Sequence, residues 1–270
     1  MSYRKFWMTN GNGQTLYFAE ENSKIYLNNP VGLGYSNNVN TMQYGDTLSL
    51  VSTEQGFGSV GGEIIFYDDD NGTKYDNYNS FVTFLQSKPL EIFYQIPTST
   101  PQTFSMSVEV SNLDKTEVKT DGLMRCTFNL IGLSRWKGSE TTVTDTTDTY
   151  TLTNDGHIPV GFEITIEGTD LVDPYFTLTN SDGLYGEAKF IGTFSSVYVN
   201  SKDGEQEVIL EQGGSVLPNP LSYQDLSISN GAIYVTFVKL ARGTSTLQIG
   251  MDSGTITSVN IVYTPMYRSV

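Results

Sequence analysis

The 270-residue chain has one cysteine, Cys126, and one histidine, His157. A single cysteine excludes an internal disulfide. Its flanks, Leu123-Met124-Arg125 and Thr127-Phe128-Asn129-Leu130, read as a strand that buries the thiol. Folding in a reducing cytoplasm is therefore expected. A lone histidine without cysteine partners excludes a zinc site of the usual kind. Its setting, Asn154-Asp155-Gly156-His157-Ile158-Pro159, is turn-forming and has no serine or cysteine nucleophile elbow beside it. Basic side chains are scarce, 15 Lys and Arg against 30 Asp and Glu, for a net charge of −15. That field repels phosphate backbones and anionic lipid, so neither nucleic acid nor a membrane is an expected partner. No apolar run approaches the ~20 residues of a membrane-spanning helix. The opening Met1-Ser2-Tyr3-Arg4-Lys5 is basic but lacks the apolar stretch of a secretion signal.

Aromatics, by contrast, are plentiful, with 17 Tyr and 14 Phe, and Gly, Thr, Ser and Asn punctuate the whole length. This is the balance of many short strands joined by polar turns. The segment from Lys137 to Asp155 contains Gly138-Ser139-Glu140-Thr141-Thr142-Val143-Thr144-Asp145 and has almost no apolar content. It is expected to be a linker or exposed arm over 138–155, dividing a domain over 1–137 from one over 156–270. Charge differs across that division: net −5 up to residue 140 and −10 beyond it.

In the first half, strands are expected at Lys5 to Thr9, Thr15 to Ala19, Thr47 to Ser52, Gly61 to Tyr67, Leu90 to Ile96, Phe104 to Val110 and Leu123 to Leu133. Asn29-Pro30-Val31-Gly32-Leu33-Gly34-Tyr35 is expected to be an irregular loop. One helix is predicted over Lys74 to Gln86, where Tyr75, Tyr78, Phe81, Val82 and Leu85 recur at helical spacing and Pro89 follows. The result is an α+β domain. The second half shows only strand signals, such as the alternating Phe162-Glu163-Ile164-Thr165-Ile166-Glu167. Others are Tyr175 to Leu178, Glu187 to Ile191, Val197 to Asn200, Glu207 to Leu210, Leu226 to Ile228, Ala232 to Leu240, Thr246 to Ile249 and Ser258 to Tyr263. Two antiparallel sheets packed face to face are expected.

Reactive constellations are weak. Asp68-Asp69-Asp70-Asn71-Gly72 could suggest calcium, but the twelfth position of an EF-hand loop would be Asn79, so a solvated turn is the better reading. Gly56-Phe57-Gly58-Ser59-Val60-Gly61 has the spacing of a dinucleotide loop but leads into a strand, so no helix N-terminus faces a phosphate. Paired carboxylates could hydrolyse a glycosidic bond, but thirty acidic residues make accidental pairs inevitable. Trp7 and Trp136 could stack on sugars, though packing is the commoner fate of an isolated tryptophan. No catalytic, cofactor-binding or metal-binding residue and no cofactor is therefore assigned.

Several segments together carry a resemblance. They are the opening strand ending in Thr9-Asn10-Gly11-Asn12-Gly13, the Pro30-Val31-Gly32-Leu33-Gly34-Tyr35 loop and Gly61-Gly62-Glu63-Ile64-Ile65-Phe66. The helix Tyr75 to Leu85 follows, then Leu90-Glu91-Ile92-Phe93-Tyr94, and finally Val108 to Leu113, Lys115-Thr116-Glu117 and Phe128 to Trp136. In this order, the first 137 residues resemble the N-terminal domain of siphophage distal tail proteins. Val197-Tyr198-Val199-Asn200-Ser201 and the closing Ile261 to Tyr267 are similar to that family's galectin-like or carbohydrate-module-like sandwich. The resemblance implies a non-enzymatic baseplate hub without cofactor, present at the tip of the virion. A hexameric ring of N-terminal domains would join the tail tube and the tape measure's end to the tail-associated hub. The C-terminal domains would project outward to carry receptor-binding or baseplate proteins. The alternatives are a carbohydrate-binding adhesion module recognising a cell-surface saccharide, a related tail-tube or upper-baseplate protein and, more distantly, a glycan hydrolase.

Overall fold

The structure is a computed structural model describing residues 4–18, 24–34, 38–44, 46–54, 58–68, 71–96, 98–116, 123–217, 221–222, 233–235 and 237–270. It divides into two units, one of Met1–Gly138 together with Tyr267–Val270, the other of Ser139–Met266.

In the first unit, β1 (Lys5–Thr9), β2 (Thr15–Phe18), β3 (Ile25–Val31), β4 (Asn38–Tyr44), β5 (Thr47–Glu54) and β6 (Ser59–Phe66) precede the helix α1 (Asn71–Gln86). After it come β7 (Leu90–Ile96), β8 (Gln102–Lys115), β9 (Met124–Gly132) and β10 (Trp136–Lys137). The main sheet runs β2-β1-β7-β8-β9-β6-β3, with every neighbouring pair antiparallel. Its two ends, β2 and β3, approach each other without pairing, so the sheet curls into an open barrel. Alternation decides which face is inside. The register aligns Phe18, Phe6, Tyr94 and Phe104 across four strands, and all four are buried. The helix lies against that inner face. Phe81, fully buried, meets Phe18 of β2, Phe66 of β6 and Phe128 of β9 edge-on, at centroid distances of 6.4, 5.8 and 5.6 Å. Burial of one such ring contributes about 1.5–3 kcal/mol.

Two expectations need correction here. Asn29-Pro30-Val31, expected as loop, lies within β3. The strand accommodates proline because β3 is an edge strand and its register shifts between Asn28 and Val31, where Asn29 takes φ 48°. The helix starts at Asn71, so Asn71 and Gly72 belong to its first turn rather than to a turn closing Asp68. The aspartates preceding it in the sequence suit the positive end of a helix dipole. Ala19 and Tyr35 lie outside the described residues.

The second unit holds β11 (Thr141–Asp145), β12 (Thr149–Asn154), β13 (Phe162–Val172), β14 (Tyr175–Thr179), β15 (Tyr185–Phe190) and β16 (Thr193–Asn200). The rest are β17 (Glu207–Gln212), β18 (Ser215–Val216), β19 (Leu221–Ser222), β20 (Ile233–Val235), β21 (Gly243–Gly250) and β22 (Ser253–Tyr263). One sheet runs β11-β22-β13-β16-β17-β18, with β19 also on β17; the other runs β12-β21-β14-β15-β20. Phe162, Ile164, Val199 and Ile261 from the first share one core with Leu152, Phe176, Leu178 and Leu247 from the second. This is the expected sandwich, and the chain as a whole is mainly β with one helix among the described residues.

The 138–155 linker is not what the structure contains. β11 pairs with β22 from Thr141 to Asp145, and β12 pairs with β21 from Thr149 to Asn154. Each is an edge strand of one sheet, and a joined pair of threonine-rich edges needs few inward apolar residues. Val143 packs on the core from β11, and Tyr150 and Leu152 from β12. Threonine's branched side chain supplies the strand preference that low hydrophobicity hides. The strand expected at Leu226 to Ile228, and Ala232, lie outside the described residues.

After β22 the chain returns. The two-residue β23 (Met266–Tyr267) pairs with β10, and Tyr267–Val270 belong to the first unit.

Candidate functional site

The residues singled out by their chemistry have structural roles. His157 is exposed in a turn whose organiser is the fully buried Asn154. The Asn154 amide donates to the carbonyls of Ile158 and Leu240 at 2.9 and 3.1 Å, and its oxygen accepts the Gly156 N–H at 3.0 Å. Gly156 has no room for a side chain, since a Cβ there would fall 2.6 Å from the Met266 carbonyl. Cys126 is fully buried on β9, and burial pushes its thiol up to about 11. Asp68 pairs with Lys24. Asp69, Asp70, Gly56 and Phe57 lie outside the described residues, and Gly58 leads directly into β6. Among the described residues, no three His, Cys, Asp or Glu side chains gather as a metal site would require.

The two tryptophans part company. Trp136 is buried in the first core. Trp7 faces the other way, on the outer face of the barrel. There it lies parallel to Phe93, with centroids 5.2 Å apart and planes 3° apart, and beside Tyr17 at 6.1 Å. The register makes this a row, because Trp7 stands opposite Tyr17 on β2 and opposite Phe93 on β7. The sequence signal for it was alternation alone; pairing of residues 86 positions apart in the chain was not visible.

The first unit carries most of the exposed large hydrophobic side chains among the described residues. Of the twelve large hydrophobic side chains exposed among the described residues, eight lie in it. Three are on the β4–β5 hairpin, which among the described residues forms a two-stranded sheet of its own. Leu50 is 66% exposed, Val51 59% and Met42 47%. The register sets Leu50 opposite Thr41 and Met42 opposite Ser49, with a shift between Asn40 and Thr41. A two-stranded hairpin is marginal in water on its own. Among the described residues, β2 and β3 are the two end strands of the barrel sheet. Beside the helix, Tyr78, Val82, Leu85, Val110 and Leu113 line a groove of about 380 Å³. Lys115 lies over the rings of Tyr75 and Tyr78 at 4.6 and 5.3 Å.

The second unit presents polar faces. On the six-stranded path, Glu163 binds both Lys202 and the Tyr198 hydroxyl, the latter at 3.2 Å. Burial, together with the Glu163 carboxylate, pushes the Tyr198 phenol up to about 12. On the other sheet, Thr151, Thr246, Thr179 and Tyr185 form one register row facing solvent.

Residues 5–133 match the family model for the distal tail protein N-terminal domain. Among solved structures, the Dit protein of phage SPP1 is similar over 96% of this chain and 98% of its own, with a TM-score of 0.68 and 14% identity. That protein is described as a paradigm of the hub adsorption apparatus in phages infecting Gram-positive bacteria. The baseplate of phage P2 in its activated conformation with calcium matches at a TM-score of 0.55 and 10% identity, over 99% of this chain and 100% of that one. The same baseplate with strontium gives a TM-score of 0.54 at 10% identity. At such identities these likenesses establish the fold. No curated protein sequence matches. The open barrel with its single helix and the match of 5–133 identify the first unit as a distal tail protein N-terminal domain, and the chain as a whole shares the fold of the SPP1 Dit protein.

Proposed function

We propose that copies of this chain close into a hexameric ring through their first units. The ring joins the tail tube and the end of the tape measure to the tail-associated hub, and the sandwiches carry receptor-binding or baseplate proteins. The role is architectural and non-catalytic, exercised in the virion after synthesis in the host cytoplasm. The observation that carries this reading is the β4–β5 hairpin, which among the described residues forms its own two-stranded sheet and exposes Met42, Leu50 and Val51. Ring closure needs a heterologous contact, in which one patch of a subunit meets a different patch of the next. The exposed side chains of the hairpin and an end strand of the sheet, both on one domain, are two such unlike patches. Residues 38–54 supply this contact, while 141–145 and 149–154 are paired within the sandwich. Double substitution Leu50→Asp and Val51→Asp tests it. Rings are expected to give way to single chains that keep the wild-type far-ultraviolet circular dichroism. Rings that survive both aspartates at low salt would remove the hairpin from the interface.

A second reading has a specific observation behind it. Thr149, Thr151, Thr153, Thr244 and Thr246 expose a row of hydroxyls next to Tyr185, whose own hydroxyl donates to the Glu187 carboxylate at 3.3 Å. Such a face suits a neutral saccharide. Retention of the full-length chain on a glycan array, lost on Tyr185→Ala, would support it.

A further inference from the structure

The hairpin has two bases, and different parts of the chain hold them. At the outgoing base, the Gly132 N–H at the end of β9 donates to the Gly58 carbonyl at 2.8 Å. At the incoming base, the Val270 N–H donates to the Leu33 carbonyl at 3.0 Å. Leu33 also leans on the first core, and β4 begins at Asn38, five positions on. Just before it, Gly32 takes φ 88° and runs so close to β6 that a Cβ would fall 1.6 Å from the Ser59 carbonyl. The backbone at 32–33 is therefore pressed between β6 and the returning segment. That segment is itself anchored. The Tyr267 ring meets Phe104 edge-on at 5.0 Å and 84°, and both Tyr267 and Val270 pack against the first core. Its neighbour Met266 is held in the other unit: its carbonyl accepts the His157 N–H at 2.8 Å, and its side chain packs on the second core.

We propose that Tyr267–Val270 is a clasp, which completes the first unit only after the sandwich has been made and fixes the incoming base of the β4–β5 hairpin. The order follows from the chain. Residues 139–266 must leave the ribosome before the segment that holds Leu33 exists. Chains lacking the sandwich or its return would present a hairpin without its second anchor. Premature contact between incomplete copies is disfavoured in this way. The ring-related part of this inference rests on the proposed function; the structural part does not.

Hydrogen exchange with mass spectrometry on three full-sandwich chains tests it, at concentrations where each is a single chain. The three are the wild type, Val270→Pro, which removes only the donor N–H at that position, and a chain lacking residues 267–270. In both variants, amides at 32–34 and in β4–β5 are expected to exchange at least about fivefold faster, the scale of one net hydrogen bond, while 139–266 stay unchanged. Ring assembly at higher concentration is expected to slow in the same order. Wild-type exchange across 32–54 in Val270→Pro overturns the clasp, even if the deletion unfolds the unit. Wild-type chains that never form rings, yet show the exchange difference, would overturn the hub reading and leave the clasp standing.

Discussion

Replacing Phe81 by alanine tests whether the helix holds the open barrel together. The ring is fully buried and bridges β2, β6 and β9, which include one open end of the sheet and the two strands next to the other. Removing it deletes its transfer energy and leaves a cavity among Phe18, Phe66 and Phe128, at a cost of about 3–5 kcal/mol. Against a domain stability on the order of 5–15 kcal/mol this is a large fraction. The assay is convenient because both tryptophans, Trp7 and Trp136, lie in the first unit. Their fluorescence therefore reports unfolding of the barrel and not of the sandwich. With a urea slope of roughly 2 kcal/mol per molar, the tryptophan midpoint is expected to fall by about 1.5–2.5 M. The sandwich transition, followed by tyrosine signals of Ser139–Met266, should move far less. A midpoint shift below about 0.5 M would mean that α1 is not the barrel's plug, and the fold account would fail.

Further outcomes follow from single residues. Asn180 is buried. Its amide donates to the Lys239 carbonyl at 2.8 Å, and its oxygen accepts the Ala241 N–H and the Ser245 hydroxyl at 3.0 and 2.8 Å. Asn180→Ala should destabilise the sandwich by about 2–4 kcal/mol, since several buried partners lose their bonds at once; calorimetry showing less than about 1 kcal/mol would contradict this. Burial raises the Cys126 thiol to about 11, so a thiol reagent at pH 8 should react with it only in denaturant; rapid labelling of the folded chain would argue against a tightly packed first core. The Tyr198 phenol, raised from 10.0 to about 12, binds its proton more tightly folded than unfolded. Its contribution is complete below about pH 10 and is lost as pH rises towards 12. Thermal unfolding should show the wild type losing stability over that interval faster than Tyr198→Phe, and parallel curves would refute the assignment.

The parts legible in the sequence are those where burial alternates cleanly. β9 reads buried at every second position from Met124 to Gly132, and β13 does the same from Phe162 to Ile166. The helix was visible because Phe81, Val82 and Leu85 recur with its period. β11 and β12 were not, because their strand character comes from threonine and their stability from β22 and β21, far away in the chain. The aromatic row of Tyr17, Trp7 and Phe93 escaped notice for the same reason, since only pairing brings its members together. The hairpin β4–β5 was read in part, at Thr47 to Ser52. Nothing local in its polar partner strand shows that, among the described residues, the hairpin forms a sheet apart from the barrel.

Native mass spectrometry of the purified full-length chain, with negative-stain imaging of the same sample, addresses the central claim most directly. The account predicts a dominant species of about 180 kDa, six chains of 29.9 kDa, seen end-on as a six-fold ring with an open channel. A sample that remains at 29.9 kDa up to high concentration, with no rings in the images, would contradict it.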